Sequence, residues 1–339
     1  MFEERLKSMS SDFDKCSIIL PVKNGSKYIK RAIVSVLKQS SSNWKLIIVN
    51  DASIDETEEV IQEFLGDKRI QYISCFQGVG VSRARNIGLQ EAEGKYVIFL
   101  DCDDCLTNDS ITNRIEGVKA NQANFGFFGS YFIKEKDNLI SEKLPLRKKY
   151  PGGGILCTNR EFMSRVSEFQ TGKVVGIEYV WDKIFDLQII KEQNIRFDVA
   201  RDRYEDWVFV MDYLKCLKHY DNRILISKVC IYDYYIYANS VSHLFDLKLF
   251  QKTRSCFEYI KNNLEYYGIF NEKIAEGYYH GYLNKVIGQV IASQNNCYQG
   301  EFKEFLAHDK DFLEGLKRYQ IRNEQETDGI LNMLKETFL

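Results

Sequence analysis

The sequence lacks the long apolar run of a membrane-spanning helix, since none of its stretches approaches about 18 consecutive apolar residues. Its first residues, Met-Phe-Glu-Glu-Arg, also lack the charged start and apolar centre of a signal peptide. Nor is there an excess of basic charge, because 46 Lys and Arg residues face 48 Asp and Glu residues, a formal net charge of -2. We therefore expect a cytoplasmic protein without a nucleic-acid partner, which would favour a basic surface.

Disulfide spacing is missing as well. The nine cysteines are an odd number without the regular spacing of a disulfide framework, which fits a reducing compartment. Cys102 and Cys105 form a C-x-x-C motif, but the two aspartates between them disfavour the reactive thiolate of a redox site. We therefore expect buried, unpaired thiols and no redox chemistry.

Glycine-rich phosphate loops are incomplete or absent. No Walker-type loop ending in Lys-Ser or Lys-Thr occurs, which disfavours a nucleotidyltransferase acting on a nucleoside triphosphate. The segment Gly78-Val-Gly80-Val-Ser-Arg83 begins like a dinucleotide fingerprint, and Asp101 follows about twenty residues later, as an adenosine-binding acid would. Arg83 replaces the third glycine, however, so a nicotinamide cofactor is disfavoured.

Apolar runs and helical patterns alternate through the first hundred residues. The chain has 339 residues, 45% of them hydrophobic, which is enough for two domains or for one large domain with an appendage. Strands are predicted at 16–21, 46–49, 70–74 and 95–100, and helices from residue 28, after a capping box of Asp55 and Glu58, and at 80–92. Such alternation predicts an α/β fold with a mainly parallel sheet between helices.

Three carboxylates follow the fourth predicted strand. The run Ile98 to Leu106 stops at Asp101, Asp103 and Asp104, and residues two apart in a strand point to the same face. Asp101 and Asp103 thus meet at the carboxyl edge of the sheet, where open α/β sheets bind ligands. Two aligned carboxylates suit a magnesium-like ion that carries phosphates, although a solvated acidic turn fits the same residues.

Four segments, taken together, resemble the family-2 glycosyltransferases of the GT-A fold. They read Ile-Ile-Leu-Pro21-Val-Lys-Asn24-Gly, Ile-Val-Asn50-Asp51-Ala-Ser53-Ile-Asp55, Gly80-Val-Ser82-Arg-Ala-Arg85-Asn86-Ile-Gly88 and Phe-Leu-Asp101-Cys-Asp103-Asp104. The resemblance covers residues 15 to 110, continues more faintly to Ser242, and is closest to bacterial enzymes that build capsule, lipopolysaccharide or exopolysaccharide. It implies a donor half at 1–110, an acceptor half at 111–244 and a C-terminal, mostly helical region at 245–339.

The resemblance also implies a nucleotide-sugar donor, usually a UDP-sugar, and manganese or magnesium. The implied donor-binding residues are Pro21, Val22, Asn24, Asp51, Ser53, Arg85, Asp101 and Cys102. The implied metal ligands are Asp103, Asp101 and His243. For several of these residues a structural role is an open alternative: Asn24 and Ser53 as turn formers, Asp55 as a helix cap, Arg85 as a surface ion pair and His243 as a structural histidine.

An acidic pair opens a predicted helix in the acceptor half. Glu205 and Asp206 precede the apolar set of Trp207, Val208 and Phe209, so they are also ordinary partners of a helix dipole. The resemblance implies that Asp206, or Glu205 in its place, takes the proton of the acceptor hydroxyl. A single displacement then inverts the anomeric carbon. Trp181 and Asp182 match the stretch beneath the acceptor, and Asp182 equally suits a helix cap.

The expected reaction is transfer of a hexosyl or N-acetylhexosaminyl group to a glycan or lipid-linked glycan in bacterial surface polysaccharide synthesis. The alternative is a non-catalytic subunit of the same fold that binds sugar nucleotide or glycan. The basic run Arg147-Lys148-Lys149 fits a loop that closes over the acceptor, a peripheral contact with anionic lipid at the inner face of the membrane, or a solvated loop. Beyond residue 245, apolar residues at helical spacing fit core packing, a homodimer interface or an acceptor platform.

Overall fold

The computed structural model describes residues 14–136, 139–145, 155–164, 179–201, 203–217, 223–237, 247–293 and 304–318, with residues 332, 334 and 336. The chain divides into two compact units. The first comprises Met1–Asn159 and Ile177–Ala238, and the second comprises Arg160–Gly176 and Asn239–Leu339. The predicted division of the chain into donor half, acceptor half and C-terminal region stays a prediction.

The first unit begins with alternating strands and helices, as predicted. These elements are β1 (Cys16–Val22), α1 (Ile29–Leu37), β2 (Trp44–Asn50), α2 (Thr57–Gln62), β3 (Ile70–Ser74), α3 (Val81–Glu91) and β4 (Tyr96–Phe99). The four strands are parallel in the order β3-β2-β1-β4. Val22 pairs with Asn50, and Asn50 with Ser74, so three strands end level with one another. Their following loops therefore lie side by side at one edge of the sheet.

The remaining strands extend this sheet on the β4 side. The elements are β5 (Cys105–Leu106), α4 (Ser110–Ala120), β6 (Phe125–Lys136), β7 (Leu139–Pro145), β8 (Ile155–Thr158), α5 (Asn159–Ser164), β9 (Lys183–Asp186), α6 (Leu187–Glu192), α7 (Glu205–Leu217) and β10 (Arg223–Tyr235). The full order is β3-β2-β1-β4-β9-β6-β10-β5, with β7 paired to β6 and β8 to β10. Strand β9 is antiparallel to both β4 and β6, so the sheet is mixed.

Helix α3 lies unusually close to strand β1. A Cβ built at Gly88 would be 2.4 Å from Cγ2 of Ile19, a side chain with no exposed area. Only glycine allows this approach, because any side chain here would overlap the strand beneath. Gly88 therefore fixes the helix on the sheet. Arg85 lies on the same helix, so the close packing also fixes where Arg85 enters the site.

The second unit includes most of α5 and the helices α8 (Leu247–Tyr266), α9 (Glu272–Ser293) and α10 (Lys310–Arg318). Phe257 of α8 lies 5.0 Å from the Tyr282 ring of α9, and Lys261 of α8 pairs with Asp311 of α10 at 3.0 Å. The predicted helical character of this region is confirmed in these residues. Across the part of the chain that the structure describes, no helix combines the length and the apolar character needed to span a bilayer.

Candidate active site

The loops after β1 and β2 hold each other in place at the carboxyl edge of the sheet. Ser53 Oγ accepts a hydrogen bond from the Asn24 backbone N–H, and Asn24 Oδ1 accepts one from the Ile54 N–H, both at 2.9 Å. Asn24 and Ala52 have φ values of 51° and 53°, a left-handed conformation that costs free energy and is often found at functional sites. Asn24 and Ser53 thus shape this edge, and their role in donor binding stays a prediction.

Asp55 links the same two loops. One carboxylate oxygen accepts from the Ser26 N–H at 3.0 Å and the other from the Thr57 N–H at 3.2 Å. Helix α2 begins with Glu56 at its N-cap, without a side-chain cap. The predicted capping box is therefore wrong by one position: Asp55 precedes the N-cap residue Glu56, and its carboxylate joins the first residue of α2 to the loop after β1.

Asp51 lies at the end of β2 beside the ends of two other strands. It is buried, and its carboxylate accepts hydrogen bonds from the backbone N–H groups of Val79 and, at 3.1 Å, Gly80. Lys23 Nζ lies 3.6 Å from Asp51 Oδ2. Asp51 therefore positions the loop between β3 and α3. Pro21 and Val22, at the end of β1, are buried beneath this loop cluster, where the Val22 carbonyl accepts the Asp51 N–H at 2.8 Å.

The three aspartates after β4 have different partners. Asp104 is almost fully buried and accepts hydrogen bonds from the Tyr232 hydroxyl at 2.9 Å and the Tyr235 N–H at 2.8 Å, so it anchors the turn to β10. Asp101 accepts a hydrogen bond from Arg85 at 3.1 Å. Burial and the nearby charge of Asp101 raise the pKa of Asp103 to about 6. Asp101 and Asp103 are thus the two carboxylates left to face a ligand.

Cys102 lies between these two aspartates and against the β1 loop. A Cβ at Gly25 would meet its sulfur at 3.3 Å. Burial and the neighbouring aspartates raise the thiol pKa of Cys102, and burial raises that of Cys105 to about 12. Both cysteines are free thiols. The C-x-x-C motif therefore supplies neither a disulfide nor a reactive thiolate.

Arg85 connects Asp101 to the acidic pair at the start of α7. Its side chain is only 5% exposed. Nη1 lies 2.5 Å from Asp206 Oδ1 and 3.1 Å from Glu205 Oε1, and Nη2 lies 3.1 Å from Asp101 Oδ1. The guanidinium also lies over the Phe197 ring, with Cζ 5.3 Å from its centroid. Arg85 is therefore a buried hub of three carboxylates, and the interpretation as a surface ion pair is wrong.

Asp206 has the perturbed environment of a catalytic base. Burial, as the largest cause, raises its pKa to about 8, and Arg85 opposes that rise while Glu205 and Asp101 add to it. Asp206 Oδ1 is held by Arg85, whereas Oδ2 has no hydrogen-bond donor among the described residues. Tyr204, just before α7, has a left-handed φ of 61°. This turn directs the acidic pair toward the end of β4. A general base needs a carboxylate oxygen that can accept a proton, and Oδ2 of Asp206 meets this requirement.

Trp181 and Asp182 are buried beside this centre. The Trp181 ring stacks between Tyr179, at 4.9 Å, and Tyr232, at 4.6 Å. Asp182 pairs with the fully buried Lys183 at 2.5 Å, so it does not cap a helix. Both side chains are engaged within the protein, and contact with an acceptor stays a prediction for each.

Sequence reasoning missed three residues that the fold brings to the site. Tyr232 donates to Asp104 and accepts the Asp101 N–H at 3.1 Å, Phe197 lies beneath Arg85, and Arg31 binds the Asp103 carbonyl at 2.8 Å. The faint continuation of the resemblance to Ser242, a stretch that includes Phe197 and Tyr232, was the one available signal. His243 and the run Arg147-Lys148-Lys149 lie outside the described residues. Among the residues described, no group of three or more His, Cys, Asp or Glu side chains is arranged to hold a metal.

Comparison with known proteins identifies the class. The model of glycosyl transferase family 2 matches residues 17–174. An uncharacterised glycosyltransferase of Haemophilus influenzae is 39% identical over 212 residues, which are 62% of this chain and 75% of that protein. The chain therefore belongs to glycosyltransferase family 2, as the four sequence segments predicted.

Other relatives are matched over a smaller share of their length. The Escherichia coli UDP-Glc:alpha-D-GlcNAc-diphosphoundecaprenol beta-1,3-glucosyltransferase WfgD is 32% identical over 146 residues, 42% of this chain and 57% of that protein. The chain spans only 32% and 26% of the length of two further relatives.

Solved structures share the fold across nearly the whole chain. The S. aureus TarS 1-349 structure in complex with UDP superposes with a TM-score of 0.66 at 16% identity, covering 95% of this chain and 87% of that one. At this identity the likeness establishes the fold alone. Together with the family match, it confirms the predicted GT-A fold class.

Proposed function

We propose that this protein is an inverting, metal-dependent glycosyltransferase that moves a hexosyl or N-acetylhexosaminyl group from a UDP-sugar to a glycan or lipid-linked glycan. The observation that carries the proposal is the single guanidinium of Arg85 joining Asp101 to Asp206. Asp101 follows strand β4 at the predicted donor site, and Asp206 is the predicted base. Donor and acceptor chemistry would therefore take place on two sides of one arginine.

The donor pocket is assigned to the edge where β1, β2 and β4 end. Asp51, Asn24 and Ser53 lie there on loops that are hydrogen-bonded to each other, so the pocket wall is formed before the ligand arrives. A UDP donor is supported by two relatives. TarS was crystallised with UDP and with UDP-GlcNAc, and the name of WfgD specifies UDP-Glc.

A divalent cation fits the residues at the end of β4. Asp101 and Asp103 are oxygen ligands, which Mg²⁺ and Mn²⁺ prefer, and the remaining ligands would come from the diphosphate and other groups. Burial and the charge of Asp101 disfavour ionised Asp103, and a bound cation would relieve both effects. When bound, such an ion neutralises the charge that develops on the departing diphosphate. His243 remains the proposed third ligand.

Asp206 is assigned as the base. Oδ1 is held by Arg85, and Oδ2 is left to accept the proton of an acceptor hydroxyl as the new bond to the anomeric carbon forms. The raised pKa of this carboxyl makes it a stronger base than an exposed aspartate. Because one displacement needs one base, the anomeric centre inverts.

The acceptor is assigned to surface polysaccharide synthesis, since the name of WfgD specifies an undecaprenol-linked sugar acceptor. We place the reaction on the cytoplasmic side of the membrane, with peripheral contact as a further element of the proposal. The alternative, a non-catalytic binding subunit, predicts donor binding without turnover. A measurement of sugar transfer therefore distinguishes it from the enzyme.

The test is the thermal shift of the purified protein with UDP, GDP and CMP, each with and without Mn²⁺. Ligand that binds the native state stabilises it in proportion to the logarithm of its concentration over its dissociation constant. We expect a shift with UDP that is largest with Mn²⁺ and that Asp103→Asn reduces. Arg69→Met is the matched control, because Arg69 forms an ion pair with Asp67 away from the turn of Asp101, Asp103 and Asp104, here called the acid turn. Absence of any nucleotide shift would contradict the proposal.

A further inference from the structure

Arg31 of helix α1 contacts the main chain of the acid turn. Its Nη2 donates a 2.8 Å hydrogen bond to the backbone carbonyl of Asp103, and its Nη1 pairs with Glu135 of β6 at 2.8 Å. Its side chain is 28% exposed, so the contact is partly shielded from water. Arg31 thus binds the main chain of the turn and donates its hydrogen bond to the Asp103 carbonyl, not to the carboxylate.

Two tyrosines after Asp233 complete the environment of this guanidinium. Its Cζ lies 3.5 Å from the ring centroid of Tyr235, a cation–π contact, and Nη2 also donates to the Tyr237 hydroxyl. That hydroxyl lies 3.4 Å from the same Asp103 carbonyl, and the Tyr237 ring lies 4.6 Å from that of Tyr28. Arg31 of α1 therefore contacts β6 and the end of β10 while it binds the Asp103 carbonyl oxygen.

We propose that Arg31 is a positioning residue of the reaction centre, which holds the turn so that the carboxylate of Asp103 faces the donor diphosphate and its cation. The inference rests on the proposed function. It follows from geometry: a planar guanidinium with three fixed partners has one orientation, and the carbonyl that it binds belongs to the residue assigned as a metal ligand. Loss of such an outer partner commonly lowers metal affinity about 10- to 100-fold.

A merely structural arginine would behave differently, and the chain contains one for comparison. Arg69 also pairs with an acid, Asp67, at 2.6 Å, and also lies over a ring, with Cζ 3.9 Å from the centroid of Trp44. Neither Asp67 nor Trp44 belongs to the acid turn. Arg31→Met and Arg69→Met therefore each remove an ion pair and a cation–π contact, and only the first also removes the hydrogen bonds to the Asp103 carbonyl and the Tyr237 hydroxyl.

The experiment measures Mn²⁺ affinity in the presence of UDP by calorimetric titration of the full chain, beside UDP affinity without metal. For Arg31→Met we expect Mn²⁺ affinity about tenfold weaker, unchanged metal-free UDP binding and partial rescue by Arg31→Lys. Arg69→Met should match wild type. Tyr237→Phe, which removes a single hydroxyl, should weaken Mn²⁺ binding about fivefold and serves if Arg31→Met fails to fold.

Wild-type Mn²⁺ affinity in folded Arg31→Met, or in Tyr237→Phe where Arg31→Met does not fold, would overturn the inference while leaving the proposed function intact. A wild-type protein that binds no UDP with Mn²⁺ would instead overturn both. Equal losses in Arg31→Met and Arg69→Met would indicate a general structural role and would also overturn the inference.

Discussion

Arg85 and Asp206 are 121 positions apart in the sequence, yet Arg85 Nη1 and Asp206 Oδ1 lie 2.5 Å apart. Arg85 is fixed by helix α3, and Asp206 by the first turn of α7. Because the same guanidinium reaches Asp101, one buried cation determines the spacing of Asp101 and the proposed base.

Replacement of Asp206 by Asn should abolish most of the transfer and leave donor binding intact. A positioned general base contributes about 10²- to 10⁴-fold to rate, so kcat should fall by at least about 100-fold. Glu205→Gln is the matched variant, since its carboxylate contacts the same guanidinium at 3.1 Å. A larger loss in Glu205→Gln than in Asp206→Asn would reassign the base to Glu205.

Replacement of Arg85 by Met should destabilise the protein strongly. The change leaves Asp101, Glu205 and Asp206 close together without their cation, and breaking a buried ion pair typically costs about 3–5 kcal/mol. Urea unfolding measures the loss. The control is Lys30→Met, which breaks an exposed pair with Glu63 and should cost less than about 1 kcal/mol. Equal losses in the two variants would contradict the role of Arg85 as a hub.

The pH dependence of kcat/KM should follow the ionisation of Asp206. The base acts only when deprotonated and its pKa is raised to about 8, chiefly by burial, so activity should rise with pH towards that value. Glu205→Gln removes a neighbouring negative charge, which lowers the pKa of Asp206 and moves the rising limb to lower pH. A limb that stays in place or moves to higher pH would contradict the assignment.

Chelation of divalent metal should weaken UDP binding in wild type more than in Asp103→Asn. Asp103 is one of the two carboxylates proposed to hold the cation, so its loss removes most of the metal dependence. Titration of each protein with UDP, once with Mn²⁺ and once with excess EDTA, measures the UDP affinity with and without divalent metal. Equal metal dependence in the two proteins would exclude Asp103 as a ligand.

Replacement of Gly88 by Ala should destabilise the protein, although Ala favours helix by up to about 1 kcal/mol. The new methyl would lie 2.4 Å from the buried Ile19, and overpacking of this kind costs about 1–3 kcal/mol. Gly66→Ala is the control, because no atom lies within 4 Å of a Cβ built there. Comparable stability of the two variants in urea would show that α3 can shift on β1.

The first half of the fold was predictable because its signals are local. Strands β1 to β4 are short apolar runs separated by helical patterns, and level parallel strand ends bring Asp51 and Asp101 to one edge. The mixed half was not predictable in this way. Strand β9 inserts between β4 and β6, far from either in sequence, and no periodicity announces such a pairing.

The site was predictable as a set of residues but not as a geometry. The motifs named Arg85, Asp101 and Asp206, yet spacing along the chain gave no indication that one guanidinium joins them. Asp104 belongs to the same motif as Asp101, yet its carboxylate is buried and hydrogen-bonded to Tyr232. Long-range packing decides which carboxylate of such a cluster faces a ligand.

The most direct test of the proposed activity is the release of UDP from UDP-GlcNAc and UDP-glucose with Mn²⁺, in the presence of a bacterial lipid extract that supplies acceptor. We expect wild type and Arg69→Met to release UDP in a metal-dependent reaction, and Asp206→Asn to do so at least about 100-fold more slowly while binding UDP normally. Turnover by Asp206→Asn at the wild-type rate would contradict the account.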